Sequence, residues 1–208
     1  MRHRLIIVLT SGLLALAAAA CGSSSSSHSI HAAPSTTPST STGGGVGALS
    51  GEAASAATGD IPDNQVFLTF HDAAAGYSIR YPEGWARKGT SADTTFADKN
   101  NIVHIVIAKA APPTPAGVAA ELTRLKRSNP SLTFTAPRVV QLKSGTAVKA
   151  IYTTRSAPNP VTGKTVLLVV DRYELSNAGK RATLDLGTPK GVDNVDAYRM
   201  MSNSFRWR

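Results

Sequence analysis

Residues 76–85 read Gly-Tyr-Ser-Ile-Arg-Tyr-Pro-Glu-Gly-Trp (GYSIRYPEGW). Tyr77, Ile79 and Tyr81 alternate with Ser78 and Arg80, the period-2 pattern of a strand with one buried face. Pro82-Glu83-Gly84 then turns the chain, and Trp85 adds a large apolar side chain beyond the turn. Upstream, Val66–Phe70 is β-branched and aromatic and reads as a strand. Downstream, Thr94–Phe96 is a short strand and Asp98–Asn101 a turn. Ile102–Ala108 is a strongly β-branched strand, with apolar residues placed for burial on both faces.

The period then changes. Pro115 suits the first position of a helix. Val118, Leu122 and Leu125 follow at i, i+4 and i+7 on one face, and Asn129-Pro130 stops the helix. Three antiparallel strands are expected next: Phe134–Leu142, Thr146–Thr154 and Thr165–Leu175. A loop, Pro158–Gly163, separates the last two. The turn Asn177–Lys180 leads into Arg181–Leu186, where Ala182, Leu184 and Leu186 alternate with Arg181, Thr183 and Asp185. Asp193 is expected to cap a terminal helix carrying Val195, Tyr198 and Met201 on one face, with Asp196 three residues after the cap. Phe205 and Trp207 then close the core. An antiparallel sheet flanked by helices makes an α+β domain over residues 63–208.

GYSIRYPEGW, the strand pair, the inserted helix, the long antiparallel run and the terminal helix ending in Ser204–Trp207 (SFRW) together resemble the PsbP/Mog1-like fold, including its actinobacterial lipoprotein members. The resemblance spans about residues 66–208. It implies a binding or accessory module without a shared active site. A photosynthetic role would rest on analogy of fold alone.

The chain N-terminal to this domain has a different character. Arg2, His3 and Arg4 precede an apolar run, Leu5–Ala20, that is short for a membrane span and fits a signal-peptide core. Residues 16–21, LAAAAC, resemble the lipobox of bacterial lipoproteins. That resemblance implies cleavage before Cys21 and attachment of diacylglycerol to its sulfur. Ala18 stands where the family usually has leucine. Ordinary cleavage after Ala18–Ala20, with release of a protein bearing a free thiol, is the alternative. Two acyl chains suffice for stable anchoring, at roughly 0.8 kcal/mol per buried methylene. Residues 21–62 are rich in Ser, Thr, Gly, Ala and Pro, with a serine run at Ser23–Ser27 and glycines at Gly43–Gly45. Too little apolar surface is present to offset chain entropy, so this segment reads as a disordered tether reaching roughly 35 Å. His28 and His31 on such a chain lack the fixed geometry of a metal site.

The formal net charge is +9. Residues 63–208 hold 20 Lys and Arg against 11 Asp and Glu, so the domain carries the whole excess. The cations are scattered mostly singly along the sequence, with Lys126-Arg127 and Lys180-Arg181 among the few pairs. That favours a solvated basic surface over a nucleic-acid stripe, and no nucleic-acid partner is expected. The one cysteine, Cys21, excludes an internal disulfide and any multi-cysteine metal site.

Catalytic signatures do not emerge. There is no P-loop, no G-x-S-x-G and no metal-ligand spacing of histidines, so neither a cofactor nor a resident metal is expected. His104 sits inside a strand and reads as structural. His71 beside Asp72 could poise a base, which keeps a hydrolase of unfamiliar type as an alternative. Asn159, Lys164, Lys190 and Asp193 lie in polar loops and are candidate binding residues. The leading expectation is a non-enzymatic lipoprotein on the extracytoplasmic face of the cell membrane, anchored through Cys21 and binding an envelope protein or ligand. Docking of the basic domain on anionic lipid or cell-wall polymer is the second expectation.

Overall fold

A computed structural model describes residues 59–159 and 161–208. The signal peptide, Cys21 and most of the tether lie outside the described residues. The strand sequence begins with β1 (Phe67–Asp72), β2 (Tyr77–Pro82), β3 (Ala86–Thr90), β4 (Asp93–Asp98) and β5 (Asn101–Lys109). Helix α1 (Pro115–Ser128) follows, then β6 (Thr133–Phe134), β7 (Arg138–Leu142), β8 (Gly145–Arg155), β9 (Leu167–Asn177) and β10 (Lys180–Pro189). Helix α2 (Val195–Ser204) and the short β11 (Arg206–Trp207) complete the chain.

Two antiparallel sheets form. One is three-stranded, in the order β1-β2-β11. The other is eight-stranded, in the order β3-β4-β5-β10-β9-β8-β6, with β7 also paired to β8. This is the α+β antiparallel architecture expected from the sequence. At the turn after β2, Trp85 N–H donates to the Pro82 carbonyl at 3.3 Å. Gly84 holds φ +86°, a left-handed value that favours glycine at this position of a tight turn.

The main core lies between the small sheet, α2 and one face of the large sheet. Tyr77, Ile79, Phe96, Val103, Ile105, Leu184, Leu186, Met201 and Phe205 are fully buried there. Its aromatic residues interlock. Tyr81 stacks on Phe96 at 4.2 Å, Tyr77 on Phe205 at 5.7 Å, and Trp207 meets Phe205 edge-on at 5.2 Å. Offset and edge-on pairs of this kind add to the area they bury. A second core lies under α1, where Val118 and Leu122 pack against Val148, Ala150, Tyr152, Leu168 and Val170.

Several expectations are corrected. β3 reads ARKGT, is exposed throughout and shows no apolar alternation, yet it pairs with β4 as the sheet edge. The expected strand Phe134–Leu142 is two strands, interrupted at Pro137, which has no N–H for the ladder. β5 is not buried equally on both faces: Val103 and Ile105 are fully covered, whereas Ile102, His104 and Val106 are partly so. Leu125 and Val195, placed on apolar helix faces, are exposed. The cap of α2 is Asn194 and not Asp193, whose Oδ1 instead accepts from Val195 N–H at 3.2 Å.

Asn194 has a further role. Its Oδ1 accepts from Ile61 N–H at 2.8 Å, and its Nδ2 donates to the Gly59 carbonyl at 3.0 Å and to Thr188 Oγ1 at 2.8 Å. Ile61 is buried in the main core. Packed structure therefore reaches back to Gly59.

Candidate functional site

The expected site residues occupy separate places. Asn159 and Lys164 share the exposed loop between β8 and β9. The Asn159 side chain is engaged within that loop, accepting from the Val161 and Thr162 N–H groups at 2.9 Å each. Lys190 is exposed beyond β10, and its N–H donates to the Leu167 carbonyl at 2.8 Å. Asp193 lines a pocket of about 760 Å³ with Asp60, Asp63 and Asp196 at the start of α2. Carboxylates suit that end of a helix.

His71 and Asp72 are not brought together. Successive strand residues face opposite ways. Asp72 is buried and its Oδ1 accepts from Ala75 N–H at 2.8 Å, closing the turn into β2. His71 is exposed, in register with Ser78 on the outer face of the small sheet. The carboxylate-poised base of the hydrolase alternative is therefore not formed by this pair. His104 Nε2 lies 2.8 Å from Asp93 Oδ1 across the β4–β5 pair, a surface contact that fits its structural reading. Among the described residues no group of three or more His, Cys, Asp or Glu could hold a metal ion. Nor is any described helix long and apolar enough to cross a membrane.

The sequence did not reveal a buried charge network on the α1 side of the large sheet. Arg172 on β9 grips Asp185 on β10 with two hydrogen bonds, Nε to Oδ1 at 2.8 Å and Nη2 to Oδ2 at 2.6 Å. Tyr152 on β8 donates its hydroxyl to Asp185 Oδ2 at 3.1 Å. The register sets this up, because Arg172 stands directly opposite both Asp185 and Ala150. Two residues along, Glu174 is fully buried, and neither of its carboxylate oxygens has a hydrogen-bond partner. Arg181 reaches it at 3.4 Å and reaches Glu121 on α1 at 2.9 Å. Burial pushes the Glu174 carboxyl up to about 7, aided by the neighbouring Glu121 charge and opposed by Arg181 and Arg172. On the opposite face of β9, Asp171 pairs with Lys149 at 2.6 Å. These groups are tied into the framework of the sheet.

A basic groove of about 520 Å³ opens between the small sheet and α2. Arg80, Arg206 and Arg208 come from β2, β11 and the residue after β11. Arg199 comes from α2, and Lys143 from the turn after β7. Period-2 geometry places Arg80 and Ser78 on one face of β2, and Arg206 pairs in register with Ser78. The flanking hydrogen bonds fix the walls. Arg80 N–H donates to Ser204 Oγ at 2.8 Å, and Lys143 N–H donates to Asn203 Oδ1 at 3.2 Å. Arg206 Nη1 donates to the Asn203 and Phe205 carbonyls at 2.8 and 2.6 Å, so it covers open carbonyls at the helix C-terminus. Arg208 Nε donates to Ser78 Oγ at 3.1 Å. Arg80 lies over the Phe67 ring, 5.8 Å from its centroid. Among the described residues, Arg199 alone of the five cations has a carboxylate partner, Asp196. Nothing in local sequence marks this groove, because its cations come from positions 80, 143, 199, 206 and 208.

No family model matches this sequence, and no curated protein matches it. Solved structures do. The solution structure of cyanobacterial PsbP (CyanoP) from Synechocystis sp. PCC 6803 is similar over 72% of this chain and 98% of its own, at 16% identity and a TM-score of 0.53. The Ran-binding protein Mog1p of Saccharomyces cerevisiae is similar over 68% of this chain and 95% of its own, at 7% identity and a TM-score of 0.46. LpqN of Mycobacterium tuberculosis, described as involved in cell envelope biogenesis, is similar over 69% of this chain and 91% of its own, at 14% identity and a TM-score of 0.40. At 16% identity the likeness to cyanobacterial PsbP is one of fold. It bears out the PsbP/Mog1-like architecture that GYSIRYPEGW and the order of elements implied.

Proposed function

We propose that this chain is a non-enzymatic lipoprotein of the extracytoplasmic membrane face, held through Cys21, whose domain binds an envelope component at the basic groove. The observation that carries the reading is the groove itself: five cations from four parts of the fold converge there, and among the described residues only Arg199 pairs with a carboxylate. The sequence LAAAAC at residues 16–21 supports the anchor, and the Ser/Thr/Gly/Ala/Pro-rich segment after it gives the domain reach. Arg172 with Asp185 and Lys149 with Asp171 are engaged in pairs that tie neighbouring strands, Glu174 is sealed inside the sheet, and His71 and Asp72 face apart. Convergent charge on an open surface is suited to recognition, and electrostatic complementarity chiefly sets specificity and capture rate.

The test is retention of envelope material. Wild-type chain is expected to hold a saturable component of a bacterial envelope extract, and the double variant Arg80→Gln/Lys143→Gln is expected to release it. Both side chains are exposed, so folding is not at issue. Turnover of a substrate by the wild type, abolished by His71→Ala, would instead establish an enzyme.

A further inference from the structure

We propose that the groove between β2, β11 and α2 binds a strand of a phosphodiester polymer, its phosphates seated across Arg80, Lys143 and Arg208. This deepens the binding reading given above and rests on it.

The five cations line one groove, and among the described residues only Arg199 is paired with a carboxylate there. Arg206 and Arg208 each donate to neutral oxygens, which leaves their charge in place. Arg80 is oriented by the Phe67 ring without being neutralised by it. Lys143 has no side-chain partner among the described residues. An anion entering the groove relieves this mutual repulsion. Guanidinium groups present forked donors that match phosphate oxygens. Thr69 adds an exposed hydroxyl to the groove lining. A charge repeated along the ligand fits a row of cations better than a single carboxylate does.

Two other polyanionic surfaces fit less well. A flat anionic bilayer would meet more than the groove. The pocket carrying Asp60, Asp63, Asp193 and Asp196 shares Asp196 and Met200 with it, so a plane pressed on the groove meets those carboxylates too. A slim strand meets only Asp196, which Arg199 already pairs, and avoids Asp60, Asp63 and Asp193. Single-stranded nucleic acid has the right backbone but needs aromatic faces on which its bases stack. Phe67 already lies beneath Arg80, and Tyr77 and Phe205 are fully buried in the core.

The experiment is calorimetric titration of the chain carrying Cys21→Ala with a poly(glycerol phosphate) oligomer. In that background, Arg80→Gln/Lys143→Gln is expected to weaken binding about tenfold or more, since each lost phosphate contact lowers affinity. Lys143→Glu alone is expected to act in the same direction. Lys88→Gln/Lys126→Gln removes the same charge from β3 and α1, outside the groove, and is expected to have less than about a twofold effect, the distant charges being screened. No binding of the oligomer, equal losses in the two double variants, or tighter binding to phosphatidylglycerol vesicles or to single-stranded DNA would each overturn the proposal. The titration uses chain without an anchor, so its outcome does not depend on lipidation. Failure here with Cys21 shown to be acylated removes the ligand and leaves the lipoprotein reading standing.

Discussion

Asp185→Ala is expected to lower the unfolding free energy by about 3–5 kcal/mol, the cost of breaking a buried ion pair by removing one partner. The Arg172 and Asp185 side chains are only 10% and 7% exposed, so neither can turn to water when the other is lost. Arginine does not escape by deprotonation, and the Tyr152 hydroxyl loses its acceptor at the same time. The cost arises from the stranded charge and not from the intrinsic worth of the pair, because taking two ions out of water offsets much of their attraction. A triple variant, Tyr152→Phe with Arg172→Leu and Asp185→Leu, is therefore expected to recover most of the loss. Urea unfolding midpoints of the single and triple variants provide the check. A single variant as stable as wild type would show that Asp185 does not hold the three strands together.

Glu174→Gln carries the second large effect, and it is read from a slope. The folded-state pKa of Glu174 is about 7, above the ordinary carboxylate value, with burial as the main cause. Between the unfolded and folded values the folded protein binds the extra proton. Stability contributed by this group is thus fully present below about pH 4.5 and falls as pH rises towards 7. The shift corresponds to a loss on the order of 3 kcal/mol across that window. Glu174→Gln cannot ionise, so its stability is expected to decline less between pH 5 and 8. By pH 8 it is expected to exceed wild type by about 2 kcal/mol. A constant penalty from the buried amide leaves the slope unaffected. Identical pH profiles for the two proteins would mean that Glu174 ionises as freely as an exposed carboxylate.

Elements whose side chains alternate cleanly were legible in the sequence. Tyr77, Ile79 and Tyr81 declared β2, and the turn after it was written in Pro82-Glu83-Gly84. Helix α1 ends within one residue of the Pro115 and Asn129 signals. β3 was hidden because an edge strand exposed on both faces leaves no hydrophobic period; its pairing with β4 is a matter of backbone hydrogen bonds. Arg172, Glu174 and Asp185 alternate as solvent-facing residues would. Their burial comes from side chains on other strands and from α1, contacts that no local pattern records. Residue type favours Asp193 as the cap, but the neighbouring Asn194 is fixed at that position by Gly59, Ile61 and Thr188, all supplied by tertiary structure.

The groove shows the same limit most clearly. Its cations read as scattered because they are isolated along the chain. Antiparallel pairing of β2 with β11, and the return of the chain through α2, gathers them on one surface. Charge scatter along a sequence is therefore weak evidence against charge convergence in a fold.

A domain tethered at the membrane through Cys21 is what the lipoprotein reading requires, and the direct measurement is intact mass and fractionation of wild type against Cys21→Ala in a bacterium that lipidates. Wild type is expected in the membrane fraction, beginning at Cys21 and carrying an acyl mass, while Cys21→Ala is released. A wild-type protein that is soluble, with Cys21 free or removed, would contradict the account.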